Sequence, residues 1–163
     1  MLSSFLKKRK LHVLAPLTGE VIPLEDVPDP IFSEKMMGDG VAIMPAESNV
    51  YSPFEGSVIF VAETKHAIGL RSKDGTEILI HIGLETVSLK GEGFKVLVHV
   101  GESVFLRQPL IEVDWNFVKE NVQTIITPIV ITNSADVEIQ LKKTKSCIYG
   151  ETVLMQVSPR KVF

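Results

Sequence analysis

The feature that most constrains this chain is its punctuation. Proline and glycine, 9 and 11 of 163 residues, recur along its whole length. The stretches between them are short and apolar, such as Gly40-Val41-Ala42-Ile43-Met44, Gly56-Ser57-Val58-Ile59-Phe60-Val61 and Ile78-Leu79-Ile80-His81-Ile82. That spacing predicts an all-β fold, an antiparallel β-sandwich or barrel. β-Branched residues in 96–100, 125–132 and 153–157 agree with it. One helix is predicted over 114–122, where Trp115, Val118 and Val122 recur at helical spacing, and it is expected to pack across one end of the barrel.

Two local patterns sharpen this. Pro16-Leu17-Thr18-Gly19-Glu20-Val21 and Pro53-Phe54-Glu55-Gly56-Ser57-Val58 share Pro-x-x-Gly-x-Val, which predicts equivalent turns leading into equivalent strands of a duplicated β unit. Ser72-Lys73-Asp74-Gly75 reads as a hairpin turn, because Asp-Gly supplies the positive φ angles of a two-residue loop. With Asp74 and Gly75 as that loop, Ile68 faces His81 and His66 lies on the same sheet face. Such diagonal neighbours sit about 7–8 Å apart at the backbone.

Composition removes several function classes. With 45% hydrophobic and 23% charged residues the chain is a folded one. Seventeen basic against twenty acidic residues give a net charge of −3, so no global positive field exists to collect nucleic-acid phosphates. A single cysteine, Cys147, cannot form an internal disulfide or a Cys-x-x-Cys metal knuckle, and it points to a reducing, cytoplasmic compartment. The N-terminus places its apolar residues before Lys7 to Lys10, the reverse of a signal peptide. No run reaches the ~20 apolar residues that span a bilayer, so residues 1–10 are expected to be a flexible basic tail without stable membrane insertion.

Of the four histidines, His12 and His99 read as surface or structural residues, with His99 on the solvent side of a strand. His81 is different. It interrupts the most apolar segment of the chain, where a polar ring must be hydrogen-bonded or functional. The predicted hairpin brings His66 onto the same face, with Thr64 two residues earlier. Paired neutral imidazoles can bind a metal, pass a proton or hold a phosphoryl group.

The stretch Gly75-Thr76-Glu77-Ile78-Leu79-Ile80-His81-Ile82-Gly83-Leu84-Glu85-Thr86-Val87 resembles the phosphohistidine signature of the glucose-type IIA component of the bacterial phosphoenolpyruvate-dependent sugar phosphotransferase system. The resemblance runs from about Leu11 to the C-terminus and includes Ala15-Pro16-Leu17-Thr18-Gly19, Asp26-Val27-Pro28-Asp29, Phe32-Ser33-Glu34-Lys35, Gly38-Asp39-Gly40, Glu63-Thr64-Lys65-His66-Ala67 and Gly150-Glu151-Thr152. It implies one phosphocarrier domain over 11–163, a phosphoryl acceptor at His81, and stabilisation of the phosphoryl group by His66 with help from Thr64. The implied donor is the phosphorylated histidine-containing phosphocarrier protein. The implied acceptor is a cysteine on the IIB domain of a sugar permease. By the same resemblance Ile31, Phe32 and Val87 form an apolar docking rim, and Asp29 and Glu85 are flanking acids that attract a basic partner face.

The chemistry makes sense on its own terms. An imidazole attacks phosphorus through its unprotonated nitrogen, so the other nitrogen must be held as a donor, most simply by a backbone carbonyl of the 82–85 turn. A His66 N–H and the Thr64 hydroxyl would then stabilise phosphoryl oxygens carrying about −1.5 to −2 charges. Two positions depart from the family pattern: Glu85 stands where aspartate is often seen and Leu79 where an aromatic often sits, both altering the expected docking rim. The tail before Leu11 is shorter than the amphipathic extension of the enteric glucose-type protein, and the chain is expected to be a free-standing IIA component.

The competing readings are a phosphorylation-dependent regulatory binding protein and a zinc metallohydrolase of the lysostaphin-like kind. The latter's His-x-His motif is absent, since Ile82 and Gly83 follow His81. No resident metal or cofactor is therefore expected, although the resemblance makes a zinc ion bridging His66 and His81 to a regulatory partner thinkable. Cys147 reads as a structural thiol, and no phosphate loop or dinucleotide fingerprint is present.

Overall fold

The computed structural model describes residues 10–47 and 49–160. The basic tail expected over 1–10 thus lies outside the described residues except for Lys10, which is exposed. Fourteen strands are described, β1 (Leu11–Leu14), β2 (Thr18–Pro23), β3 (Asp39–Glu47), β4 (Val50–Tyr51), β5 (Gly56–Val61), β6 (Ala67–Ser72), β7 (Glu77–His81), β8 (Phe94–Val96), β9 (Ser103–Val104), β10 (Pro109–Val113), β11 (Thr127–Ile131), β12 (Val137–Leu141), β13 (Ser146–Cys147) and β14 (Val153–Pro159). Two short α-helices, α1 (Pro30–Ser33) and α2 (Trp115–Asn121), interrupt them. The strands form an eight-stranded sheet, β13-β2-β3-β11-β7-β6-β5-β9, and two three-stranded sheets, β1-β14-β12 and β4-β10-β8, with antiparallel pairing throughout. The expected all-β sandwich is borne out.

Strand parity decides which side chains enter which core. On one face of the large sheet Ile43, Ile68, Leu70, Ile78, Ile80, Ile129 and Ile131 pack with Val13, Val157, Leu110 and Ile111 of the small sheets. Ile80 and its fully buried neighbours each contribute about 1.5–3 kcal/mol by leaving water. On the opposite face Ala42, Ala67, Leu79 and Val130 pack under Leu24, Val27, Phe32 and Leu84. Because both faces are covered, β7 reads as a near-continuous apolar run. His81, two residues after Leu79, falls on the second face.

The duplication is visible in reciprocal backbone bonds. Leu14 N–H donates to Pro53 O and Tyr51 N–H donates to Pro16 O, while Gly150 N–H and Arg107 N–H donate to Ala15 O and Ser52 O. The shared glycine has a packing cause: a Cβ at Gly19 or Gly56 would lie 2.1 Å from the neighbouring strand's carbonyl, of Met44 or Arg71. Helix α2 occupies most of the predicted 114–122 segment, capped by Asp114 Oδ1 accepting from Phe117 N–H at 3.1 Å, with Val118 buried in the main core. The strand expected over 96–100 ends at Val96, so His99 sits in the turn beyond it, exposed, with Nδ1 3.1 Å from Glu102 Oε1.

Candidate functional site

The β6–β7 hairpin corrects the predicted register. Ala67, not Ile68, faces His81, because the loop is Lys73-Asp74-Gly75 and one residue longer than expected. Gly75, at φ +93°, takes the left-handed position, and Ser72 N–H donates to Thr76 O across the loop's base. His66 still reaches His81, by another route. It lies one residue outside β6, where alternation no longer applies, and Lys65 at φ +65° turns the chain. The two rings meet edge to face, with centroids 4.9 Å apart and planes at 78°. His66 O accepts from Ile82 N–H at 2.7 Å, so the backbones that carry the rings are tied together.

Each ring has one nitrogen engaged. His81 Nδ1 lies 2.8 Å from Gly83 O. A carbonyl can only accept, so Nδ1 carries the proton and Nε2 keeps its lone pair. Gly83 presents that carbonyl at φ +69°, and a Cβ there would lie 2.7 Å from Thr86 Cγ2, so the position requires glycine. His66 Nδ1 lies 2.7 Å from Thr64 Oγ1. The Thr64 hydroxyl is thus engaged with the His66 ring.

Burial and the neighbouring His81 push the pKa of His66 down to about 4, against a weaker opposing contribution from the Thr64 backbone. Burial also lowers that of His81, opposed by the Gly83 carbonyl and the Asp29 carboxylate. Both rings are neutral at pH 7. They open into a cleft of about 300 Å³ lined also by Asp29, Ile31, Phe32, Met37, Glu85, Thr86 and Val87.

The predicted rim is partly rearranged. Ile31 and Val87 are apolar yet 45% and 57% exposed, as a docking rim requires. Phe32 is only 4% exposed, its ring centroid 5.1 Å from that of His81, so it forms the wall behind the imidazole and not the rim. Leu79, expected to alter the rim, is buried beneath it. Asp29 lines the cleft while its Oδ1 accepts from Ile31 N–H at 3.0 Å, capping α1 ahead of Pro30. Glu85 is exposed beside it.

Two cleft residues were not singled out: Met37, 42% exposed and part of no motif, and the buried Thr86, which lies within the signature stretch but was given no role; Met36 beside Met37 is 69% exposed. The apolar pair between Lys35 and Gly38 was the available signal for the methionines. Cys147 sits on β13, buried, its thiol 3.3 Å from Leu17 O and its pKa raised by burial, with three strands between it and β7. His12 is exposed beside Gln156. Among the described residues no three His, Cys, Asp or Glu side chains are grouped to hold a metal ion, and no helix is long and apolar enough to cross a membrane.

The family model of the phosphoenolpyruvate-dependent sugar phosphotransferase system, EIIA 1, matches residues 11–137. A glucose-specific EIIA component of Staphylococcus epidermidis is 46% identical over 151 residues, 92% of this chain and 91% of that protein. A glucoside-specific EIICBA component of Staphylococcus carnosus is 51% identical over 143 residues, 88% of this chain; the chain spans only 21% of that longer protein. The solved glucose permease IIA of Mycoplasma capricolum superposes with a TM-score of 0.84 at 38% identity, covering 91% of this chain and 96% of that one.

Proposed function

The chain belongs to the EIIA 1 family of the phosphoenolpyruvate-dependent sugar phosphotransferase system, and from that premise we propose that it carries phosphoryl groups in sugar uptake, accepting them on His81 Nε2. The observation that carries the assignment to this atom is the 2.8 Å contact of His81 Nδ1 with Gly83 O, which leaves Nε2 as a neutral nucleophile. The phosphorylated histidine-containing phosphocarrier protein is the donor. The Nε2 lone pair attacks phosphorus, the donor's N–P bond breaks, and the donor imidazole leaves with the bonding pair. One N–P bond replaces another, so transfer is close to balanced and reversible, as a carrier requires.

His66 supplies the stabilisation. With Thr64 Oγ1–H donating to Nδ1, the His66 proton resides on Nε2, and this N–H donates to a phosphoryl oxygen. The half-buried setting strengthens that bond. The exposed apolar rim of Ile31, Val87 and Met37 suits a protein partner that must dock and leave, and Asp29 and Glu85 favour a basic face on it. The phosphoryl group then passes to the cysteine thiolate of a permease IIB domain, with His81 as leaving group. Relatives named glucose-specific and glucoside-specific support a permease of that type.

The test is a reconstituted relay. Radiolabelled phosphoenolpyruvate, enzyme I and the phosphocarrier protein are expected to label this chain with acid-labile phosphate, and the labelled chain, separated from its donors, is expected to pass label to an added glucose-type IIB domain. Label that never appears on the chain, or that never reaches the IIB domain, overturns the carrier role.

A further inference from the structure

The Gly83 carbonyl can set the His81 tautomer only if the turn that carries it cannot rotate, and four contacts fix the two peptide units around Gly83. In the Gly83–Leu84 unit, the Gly83 carbonyl accepts from His81 Nδ1–H, and Leu84 N–H donates to Thr124 O at 3.2 Å. In the Ile82–Gly83 unit, the Ile82 carbonyl accepts from Thr86 Oγ1–H at 2.7 Å, and Gly83 N–H reaches Thr127 Oγ1 at 3.4 Å. Thr86 is fully buried, and its methyl occupies the space where any Cβ at residue 83 would project, 2.7 Å away. Of the four contacts, the one from Thr86 is the shortest, comes from within the turn itself, and satisfies a carbonyl sealed from water. Without that hydroxyl, Ile82 O loses the bond that Thr86 supplies in a buried setting, and the peptide gains a reason to rotate toward another donor.

We propose that Thr86 is a positioning residue for His81, its hydroxyl locking the 82–86 turn in the conformation that aims the Gly83 carbonyl at His81 Nδ1. The Thr86 hydroxyl is committed to Ile82 O and not to a His81 ring nitrogen. It acts by keeping the proton on Nδ1 and therefore the lone pair on Nε2. The kinetic part of this inference rests on the phosphocarrier reading above; the tautomer part does not.

The test compares Thr86→Val, which keeps the shape and removes the hydroxyl, with Thr86→Ser, which keeps the hydroxyl. Imidazole ¹⁵N spectra report which ring nitrogen is protonated, and mass spectrometry reports the rate of phosphoryl gain from the phosphorylated phosphocarrier protein. Thr86→Val is expected to lose the fixed Nδ1–H pattern at His81 while leaving His66 unchanged, and to slow acceptance by about 10- to 100-fold. Thr86→Ser is expected to restore both. A folded Thr86→Val protein with the native His81 pattern and rate overturns the proposal. Should Thr86→Val not fold, Thr86→Ser decides: the native pattern supports the role of the hydroxyl, and its loss overturns it. If the native chain accepts no phosphoryl group, the carrier reading falls, while the ¹⁵N comparison still judges Thr86.

Discussion

Replacing Gly83 by alanine applies the smallest covalent change to the turn that orients His81. Two costs follow from the geometry. At φ +69° an L-residue meets the left-handed penalty of about 1–2 kcal/mol. The new methyl would also lie 2.7 Å from Thr86 Cγ2 and 3.3 Å from Thr124 O, well inside ordinary contact, and both neighbours are held by hydrogen bonds of their own. Overpacking of this kind costs about 1–3 kcal/mol. Together these give a destabilisation of roughly 2–5 kcal/mol, which a domain near the middle of the typical range of about 5–15 kcal/mol survives at about 25 °C. The expected readout is a midpoint in thermal unfolding lowered by roughly 4–20 °C. The same variant is expected to accept phosphoryl groups slowly, because relieving the overlap moves the Gly83 carbonyl off Nδ1. Urea unfolding followed by circular dichroism, with acceptance measured on the folded fraction, gives both numbers. A loss below about 0.5 kcal/mol with native acceptance would mean that the turn relaxes freely, and the reasoning about a fixed carbonyl would be wrong.

Three further outcomes are expected. His66→Gln keeps a side-chain N–H donor but not the ring, so it should still gain phosphate and pass it on poorly; complete loss of acceptance equal to that of His81→Ala would show that the rings act as one unit. The pKa of His66 lies at about 4 in the folded chain against an ordinary 6.5, so the stabilisation from keeping it neutral is present above about 6.5 and is lost as pH falls toward 4; denaturant midpoints across that window, compared with His66→Gln, check the sign, and a midpoint independent of pH contradicts it. Val87→Asp places a charge on a rim residue that is 57% exposed, and it is expected to raise KM for the donor protein while leaving the folded stability within about 0.5 kcal/mol; an unchanged KM removes Val87 from the docking face.

Much of this was readable from the residues because the determinants are local. Short apolar runs between glycine and proline specify strands, and the Asp114 cap with Trp115, Val118 and Val122 specifies the one longer helix. The pairing of His66 with His81 was legible as proximity but not as register. An Asp-Gly pair is compatible with loops of two or three residues, and the choice depends on the bonds of Ser72 and Thr76 across the loop. The left-handed Lys65 that aims His66 carries no sequence signal of its own. Thr64 was seen as a member of the site, but its partner depended on a 2.7 Å contact that only the folded turn creates. Phe32 enters the rim by resemblance alone, and only the packing of α1 against the second core shows it behind His81.

The central claim is that His81 accepts through Nε2 because Gly83 holds the proton on Nδ1. The most direct measurement is ³¹P–¹⁵N correlation on chain labelled with ¹⁵N-histidine after phosphorylation through the relay. A single phosphoryl group coupled to Nε2 of His81 is the predicted result. Coupling to Nδ1, or phosphate on His66, would contradict it.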